Sequence, residues 1–187
     1  MTFHSCLDLE PQDQLGGKNM WTSVNDYKQF ANTFYSWTRD FSSVVYDGTH
    51  SDKRSDLITY QSYNEFSRGI NSIPSSDANY TDNYKHIRRT NLLLQNAEAY
   101  AKPEDIKQYI GEAYFFRAYS YFDLLQLYGD VIITKKPLDI TDPEMKVKRN
   151  DRSEVVDLII DDLNHAVENL PAFKELTTEE EGRISKE

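Results

Sequence analysis

The stretch IGEAYFFRAYSYFDLLQLYGD, residues 110–130, is rich in aromatic residues, keeps helical spacing and stops at a Gly-Asp pair. A helix with one apolar stripe lies on a core, whereas a helix that is apolar all round packs between neighbours. The stretch therefore predicts an inner helix of a stacked, all-α repeat array. Its apolar or aromatic positions occupy nearly every angle: Tyr109, Ala113, Phe116, Leu124 and Leu127 on one side, and Tyr114, Tyr121, Leu125 and Tyr128 on the other.

Two helices are predicted before this central one. Residues 22–37 keep helical spacing and start with Ser23 and Asp26 in the arrangement of a capping box. Residues 80–100 show one apolar face, interrupted by Asn91. A buried amide without a hydrogen bond costs about 1–3 kcal/mol, so we expect Asn91 to bond a neighbouring helix or a loop backbone.

The central helix is predicted to begin at Pro103, which suits the first helical position, and to end before Gly129 as a left-handed cap. After a short extended piece and a charged loop, residues 151–170 predict a fourth helix, started by Asp151 and Glu154 and stopped by Pro171. Its predicted buried stripe comprises Val156, Ile159, Leu163, Val167 and Leu170. The third and fourth helices would form an αα-hairpin, with the second helix completing the stack.

Arg117 lies among apolar positions of the central helix. An arginine on a packed face pairs with a carboxylate or caps carbonyls more often than it meets a ligand, so we assign Arg117 a structural role.

The composition narrows the range of functions. The net charge is −10, which disfavours nucleic-acid and anionic-lipid binding. No apolar run approaches the roughly 20 residues that span a bilayer, and the single cysteine permits no internal disulfide. No phosphate loop, nucleophile elbow or metal-ligand spacing is present, so the sequence favours neither an enzyme nor a cofactor.

The long connection between the first two helices, residues 39–79, carries the candidate ligand residues. A loop of this length in a compact domain is usually functional or disordered. Tyr46, Tyr60 and Tyr63 occur there among aspartate and asparagine side chains. Aromatic faces stack on sugar C–H groups while polar side chains meet hydroxyls, so these three tyrosines are predicted sugar contacts. The alternative is that they pack the loop onto the helices.

Several motifs together resemble the N-terminal region of SusD/RagB-type proteins. They are Asn91-Leu92-Leu93-Leu94, residues 111–118 (GEAYFFRA), Tyr121-Phe122 and Tyr128-Gly129-Asp130, with residues 6–13 (CLDLEPQD) at the start and Gly182-Arg183-Ile184-Ser185 at the end. Two features depart from the family: Ile132 stands where members usually have a proline, and members are much longer.

The resemblance implies a fold and a set of partners. The fold would be an all-α, TPR-like helical-repeat scaffold, a SusD-like α-α superhelix incomplete at its C-terminus. Residues 1–18 would be a lipoprotein tether acylated at Cys6, and residues 19–187 the N-terminal part of the helical domain. The protein would sit on the outer membrane by its lipid anchor, facing the cell exterior. It would bind an oligosaccharide and hand it to a TonB-dependent, SusC-like transporter.

Two other functional classes remain open on the sequence alone. An intracellular TPR-like adaptor would bind peptide in its groove and continue with regular repeats. A helical glycoside-processing enzyme would need two acids presented in a pocket.

Overall fold

The computed structural model describes residues 20–38, 69–70, 72–138 and 141–186. The α-helices are α1 (Val24–Asn32), α2 (Ala78–Glu98), α3 (Lys107–Tyr128) and α4 (Arg152–Asn169). Short 3₁₀ helices occupy Thr33–Trp37, Pro103–Ile106, Pro143–Lys146, Phe173–Glu175 and Thr178–Glu180. Within the described ranges the only β-type pairings are the isolated bridges Val131–Asn150 and Ala172–Lys186. The predicted all-α class is confirmed.

Helix α3 lies at the centre of the structure. It contacts α4 and α2 along their lengths, and α1 packs against it as well. Buried side chains occur all around α3, from Tyr109 and Phe116 to Tyr121 and Leu124. The prediction of an inner helix between two neighbours is therefore confirmed, and α2 does complete the stack.

Two hydrophobic clusters form the core, one towards each end of α3. The first cluster joins α1 to the first half of α3 and the last part of α2. Its buried members are Tyr27, Phe30, Ala31, Phe34, Leu93, Ala97, Ile106, Tyr109, Ala113 and Phe116. The second joins α2, α3 and α4 at the other end, through Ile87, Ala118, Tyr121, Leu124, Val131, Val155, Leu158 and Ile159. Aromatic rings meet edge to face in the first cluster, as Phe34 and Phe116 do at 5.6 Å between centroids.

The helix boundaries follow the local signals in the sequence. Ser23 and Asp26 form the predicted capping box of α1. Pro103 opens a 3₁₀ turn, and the α-helical part of the central helix begins only at Lys107. Gly129 ends α3 with a positive φ of 70°, a backbone angle that side-chain-bearing residues rarely adopt.

The buried face of α4 differs from the predicted stripe. Ile159 and Leu170 are buried as expected, but Val156, Leu163 and Val167 are 36%, 39% and 54% exposed. The buried positions of the helix are Val155, Leu158, Ile159, Asp162 and Ala166. The helix is rotated relative to the prediction because it turns the carboxylate of Asp162 inward against α3.

Glycine at position 111 permits the close approach of α3 and α4. A Cβ atom at Gly111 would lie 2.9 Å from Leu170 Cγ, 3.0 Å from Leu170 N and 3.1 Å from Asn169 Cβ. Leu170 N is a backbone atom and Asn169 Cβ is bonded directly to the backbone, so neither can move aside. The αα-hairpin therefore depends on a residue without a side chain here.

None of the helices in the described part of the chain combines the length and the apolar character that a bilayer crossing requires.

Candidate ligand-binding cleft

The residues predicted to anchor the protein or touch a ligand lie outside the described ranges. Cys6, with the proposed tether 1–18, belongs to this group, and so do Tyr46, Tyr60 and Tyr63 of the 39–79 connection. Their assignments stay predictions.

A cleft of about 480 Å³ opens between the first half of α2 and the segment that follows α3. We call residues 131–138 the wall segment. A volume of this size falls within the range of about 300–1,000 Å³ that is usual for small-molecule sites. The lining residues are Tyr80, Thr81, Tyr84, Lys85 and Arg88 of α2, and Ile132, Thr134, Lys136 and Leu138 of the wall segment.

Side chains of α2 hold the wall segment in place from one side. The Tyr84 hydroxyl donates to the Ile132 carbonyl at 2.8 Å, and Arg88 Nε donates to the Leu138 carbonyl at 3.2 Å. Burial raises the pKa of the Tyr84 hydroxyl well above its usual value. The hydroxyl is therefore a donor at any physiological pH, and the two bonds fix both ends of the wall.

Helix α3 and Asn150 hold the middle of the wall segment. The Tyr121 hydroxyl accepts from Thr134 N at 2.8 Å and contacts the Thr134 carbonyl at 3.2 Å. Asn150 accepts from Ile133 N through its side chain at 2.9 Å, and its own N–H donates to the Val131 carbonyl at 2.9 Å. The extended piece predicted after α3 exists, and it is held by one backbone bond from Asn150 together with side-chain bonds from Tyr84, Tyr121 and Asn150.

Asn91 connects the wall segment to a buried ion pair. Its Nδ2 donates to the carbonyls of Thr134 at 3.0 Å and Lys136 at 3.2 Å, while its Oδ1 accepts from Arg117 Nη1 at 2.8 Å. Arg117 forms a bidentate pair with Asp162, at 2.8 Å from Nε and 2.6 Å from Nη2. The structural roles predicted for Asn91 and Arg117 agree with this geometry.

The ionised state of Arg117 is secured by its partners. Burial alone would lower the pKa of the guanidinium, but the hydrogen bonds and charge of Asp162 outweigh burial and raise the pKa. Charge-assisted, bidentate hydrogen bonds of this kind are about twice as strong as neutral ones. The wall of the cleft therefore rests on a fully bonded polar network inside the helix stack.

An aromatic group includes two of the lining residues, Tyr80 and Tyr84. The Tyr80 ring lies 4.8 Å from Tyr84 and 5.2 Å from Tyr128, measured between ring centroids. The Tyr128 hydroxyl donates to Asp77 at 2.7 Å, and this bond lowers the pKa of the Asp77 carboxyl. Asp77 also accepts from Asn79 N and so caps the start of α2. The bond thus ties the Tyr128 ring of α3 to the start of α2, the helix that carries Tyr80 and Tyr84.

Basic side chains line the cleft beside these rings. Lys85, Arg88 and Lys136 are among its lining residues, and no aspartate or glutamate lines it within the part of the chain that the structure describes. Asp82 Oδ1 pairs with Lys85 Nζ at 2.8 Å on the exposed surface of α2. The cleft therefore combines two tyrosine rings, apolar wall side chains and positive charge.

A second buried ion pair lies at the opposite end of α3. Glu112, fully buried, accepts from Arg183 Nε and Nη2 at 2.9 Å each. The Ile184 N–H donates to the Tyr35 hydroxyl at 3.1 Å. Burial raises the pKa of Glu112, and the Arg183 hydrogen bonds oppose that rise. This pair ties the end of the chain to α3 and α1, far from the cleft.

The sequence did not indicate the cleft. In the sequence, Tyr80 and Tyr84 belong to the apolar face of the helix predicted over residues 80–100, and Lys85, Arg88 and Lys136 belong to no recognisable motif. One signal was available: two basic residues, Lys85 and Arg88, follow the tyrosines on the same predicted helix in an acidic chain. No group of three or more potential metal ligands occurs among the residues that the structure describes.

Comparison with known proteins identifies the class. Residues 7–182 match the sequence model of a SusD-like family described as "Starch-binding associating with outer membrane". A protein named SusD-like protein P38 from Formosa agariphila is 27% identical over 184 residues, which cover 89% of this chain and 34% of that protein. Because the family match extends over nearly the whole chain, the chain belongs to the SusD-like family.

Solved structures agree with this assignment. A SusD-like protein from Bacteroides fragilis superposes with a TM-score of 0.73 at 26% identity, covering 95% of this chain and 35% of that one. A structure named as a laminarin-binding SusD-like protein gives a TM-score of 0.56 at 29% identity, covering 64% and 26% of the respective chains. The TPR-like helical scaffold expected from the resemblance is confirmed. The chain spans about a third of the length of these first relatives.

Proposed function

We propose that this chain serves in a cell-surface lipoprotein that captures an oligosaccharide and passes it to a TonB-dependent, SusC-like transporter of the outer membrane. The observation that carries the proposal is the family match over residues 7–182, whose description names starch binding and the outer membrane. The function is capture and delivery, without a bond-breaking step.

The cleft supports the saccharide part of the proposal. Tyrosine rings with a fixed orientation offer flat apolar faces for sugar C–H groups, and nearby polar groups can meet hydroxyls. Tyr80 and Tyr84 line the cleft beside Thr81 and Thr134. The Tyr46, Tyr60 and Tyr63 side chains are proposed to add further contacts from the 39–79 connection.

Binding of sugars by the chain is tested by calorimetry and affinity electrophoresis with starch, laminarin and a panel of other oligosaccharides. Saturable binding of at least one saccharide, weakened by the double variant Tyr80→Ala/Tyr84→Ala, is the expected result. Peptides serve as the comparison, because a TPR-like adaptor would bind them instead. Binding of peptides and of no saccharide would overturn the proposal.

The anchor and the transporter need separate tests in cells that produce the protein. Metabolic labelling with a radioactive fatty acid should mark the wild-type protein and leave the Cys6→Ala variant unlabelled. Affinity purification from outer membranes should recover a TonB-dependent transporter with the tagged protein. Equal labelling of both forms would contradict the anchor, and recovery of the protein alone from gently solubilised membranes would contradict the partnership.

A further inference from the structure

We propose that the cleft between α2 and the wall segment holds its saccharide through protons that the sugar hydroxyls donate, and so selects sugars whose hydroxyls are unsubstituted. The inference rests on the proposed saccharide binding and adds the chemical form of the sugar that fits. It comes from the direction of the hydrogen bonds made by the groups that line the cleft.

Three hydroxyl groups of the lining already donate their protons to main-chain carbonyls. Thr81 Oγ1 donates to the Asp77 carbonyl at 3.0 Å. Thr134 Oγ1 donates to the Lys136 carbonyl at 2.8 Å, and the Tyr84 hydroxyl donates to a carbonyl of the wall segment at 2.8 Å. The direction of each bond is fixed, because a carbonyl oxygen has no proton to give. These hydroxyls therefore meet a ligand with their oxygen lone pairs.

Two main-chain N–H groups in the middle of the wall segment are also engaged. Ile133 N donates to Asn150 Oδ1 at 2.9 Å, and Thr134 N donates to the Tyr121 hydroxyl at 2.8 Å. Turning one of these donors towards a ligand would leave a protein acceptor without its partner, which offsets the bond gained. The groups that give the wall its shape thus have no proton to offer a ligand.

Cationic side chains of the lining can donate to a ligand, but they do not supply this selection. Lys85 pairs with Asp82 at 2.8 Å, and Arg88 Nε donates to the Leu138 carbonyl at 3.2 Å. A cation that contacts a sugar meets an oxygen lone pair, which a hydroxyl and a methyl ether both possess. The preference for a free hydroxyl comes from the acceptor hydroxyls of the lining.

Substitution of a sugar hydroxyl removes the proton that these acceptors require. An O-methyl group or a fluorine in its place cannot donate, so the lining oxygen that faces it loses its partner. A site that hydrogen-bonds a ligand hydroxyl rejects an analogue lacking that group more strongly than an apolar pocket rejects a change in bulk. The ring faces of Tyr80 and Tyr84 contact sugar C–H groups, which the substituted sugars retain.

The test uses maltotriose and laminaritriose, short pieces of starch and laminarin, with the 187-residue chain. Each sugar is compared with analogues in which one hydroxyl at a time is replaced by fluorine or by O-methyl. Fluorine is no larger than a hydroxyl, so its effect reports the lost proton and not added bulk. Calorimetry should show, for at least one position, binding about three- to tenfold weaker with either replacement.

The fluorine analogues decide the outcome. Changes of less than about twofold with fluorine at every position would overturn the inference. This holds also where O-methyl alone weakens binding, because that loss would be steric.

Variants assign the effect to the cleft. Thr81→Val combined with Thr134→Val removes two acceptor oxygens and keeps the side-chain shape. It should weaken binding of the unsubstituted trisaccharide about three- to tenfold and reduce the loss that fluorine causes. The matched control, Thr81→Ser combined with Thr134→Ser, keeps both hydroxyls and should retain the fluorine effect. A fluorine effect of equal size in the two double variants would overturn the assignment to these oxygens.

The result separates this inference from the proposed function. Binding of the trisaccharides without sensitivity to fluorine would leave saccharide capture standing and refute the selection for free hydroxyls. Failure to bind any saccharide, substituted or not, would refute both.

Discussion

Asn91 joins the buried guanidinium of Arg117 to the main chain of Thr134. It accepts from Arg117 Nη1 at 2.8 Å and donates to the Thr134 carbonyl at 3.0 Å. One amide thus spans the distance from the ion pair in the helix stack to the wall of the cleft. The consequence is that the stability of the core and the shape of the cleft depend on the same side chain.

Replacing Asn91 with alanine should lower the free energy of unfolding by about 2–4 kcal/mol, because a buried donor of Arg117 and two wall carbonyls lose their partner. Urea denaturation measures the change. The matched control is Asn96→Ala on the same helix, since the Asn96 side chain donates to the Leu92 carbonyl of its own helix at 2.7 Å. The control should lose about 1 kcal/mol or less. Equal losses would contradict the linking role of Asn91.

The Arg117–Asp162 pair should show strong coupling in a double-mutant cycle. Arg117→Met or Asp162→Leu alone leaves one buried charge without its partner and should cost about 3–5 kcal/mol. Both side chains are nearly fully buried, at 6% and 0% exposed. The double variant removes both charges and should cost clearly less than the sum of the single changes. Additive losses, measured by urea denaturation, would contradict the pairing.

The helices and the role of Asn91 could be predicted because their signals are local. The Ser23–Asp26 capping box and Gly129 lie at the helix ends they define. Asn91 lies on an apolar stripe, so its amide is expected to be buried and to need hydrogen bonds. The partners of Asn91 could not be predicted, because one of them, Thr134, is 43 residues away in sequence.

The buried face of α4 could not be predicted from the residues of α4 alone. Val156, Leu163 and Val167 keep apolar helical spacing, yet the buried face lies about one residue, or roughly 100°, to the side. Asp162 decides the rotation, and its partner Arg117 is 45 residues distant. The cleft was missed for the same reason, since its two walls come from separate parts of the chain.

Gly111→Ala tests the close packing of α3 against α4. Helix propensity alone would raise the stability by about 1 kcal/mol. The new Cβ would meet Leu170 N at 3.0 Å and Leu170 Cγ at 2.9 Å, so the helices must separate. We expect a net loss of about 1–3 kcal/mol in thermal or urea unfolding. A gain in stability would show that the contact can relax without cost.

Arg183→Met should loosen the end of the described chain. The change leaves the fully buried Glu112 carboxylate without its bidentate partner, which should cost about 3 kcal/mol. Limited proteolysis should then cut near residues 177–186 faster than in the wild type. Glu112→Gln in the Arg183→Met background removes the stranded charge and should recover part of the stability. No recovery in urea denaturation would contradict a charge-based cause.

His86 should make the stability depend on pH. Its ring stacks on Trp37 with centroids 4.1 Å apart, and burial lowers its pKa from 6.5 to about 4. Lys85 and Arg89 lower the pKa further, whereas Asp82 opposes them. Between these two pKa values the unfolded chain binds a proton that the folded chain does not, so stability falls as pH drops from about 6.5 towards 4.

The contribution of His86 is about 1–2 kcal/mol over this window, after allowance for its partial exposure to solvent. His86→Phe keeps a ring against Trp37 and removes the titration. Urea denaturation at pH 7.5 and pH 5 should therefore show a smaller pH effect in the variant than in the wild type. His165→Phe is the control, because the His165 side chain is 45% exposed, stacks on another ring, that of Tyr114, and lies beside Asp161 and Glu168. If His86→Phe left the pH effect unchanged, another group would have to account for it.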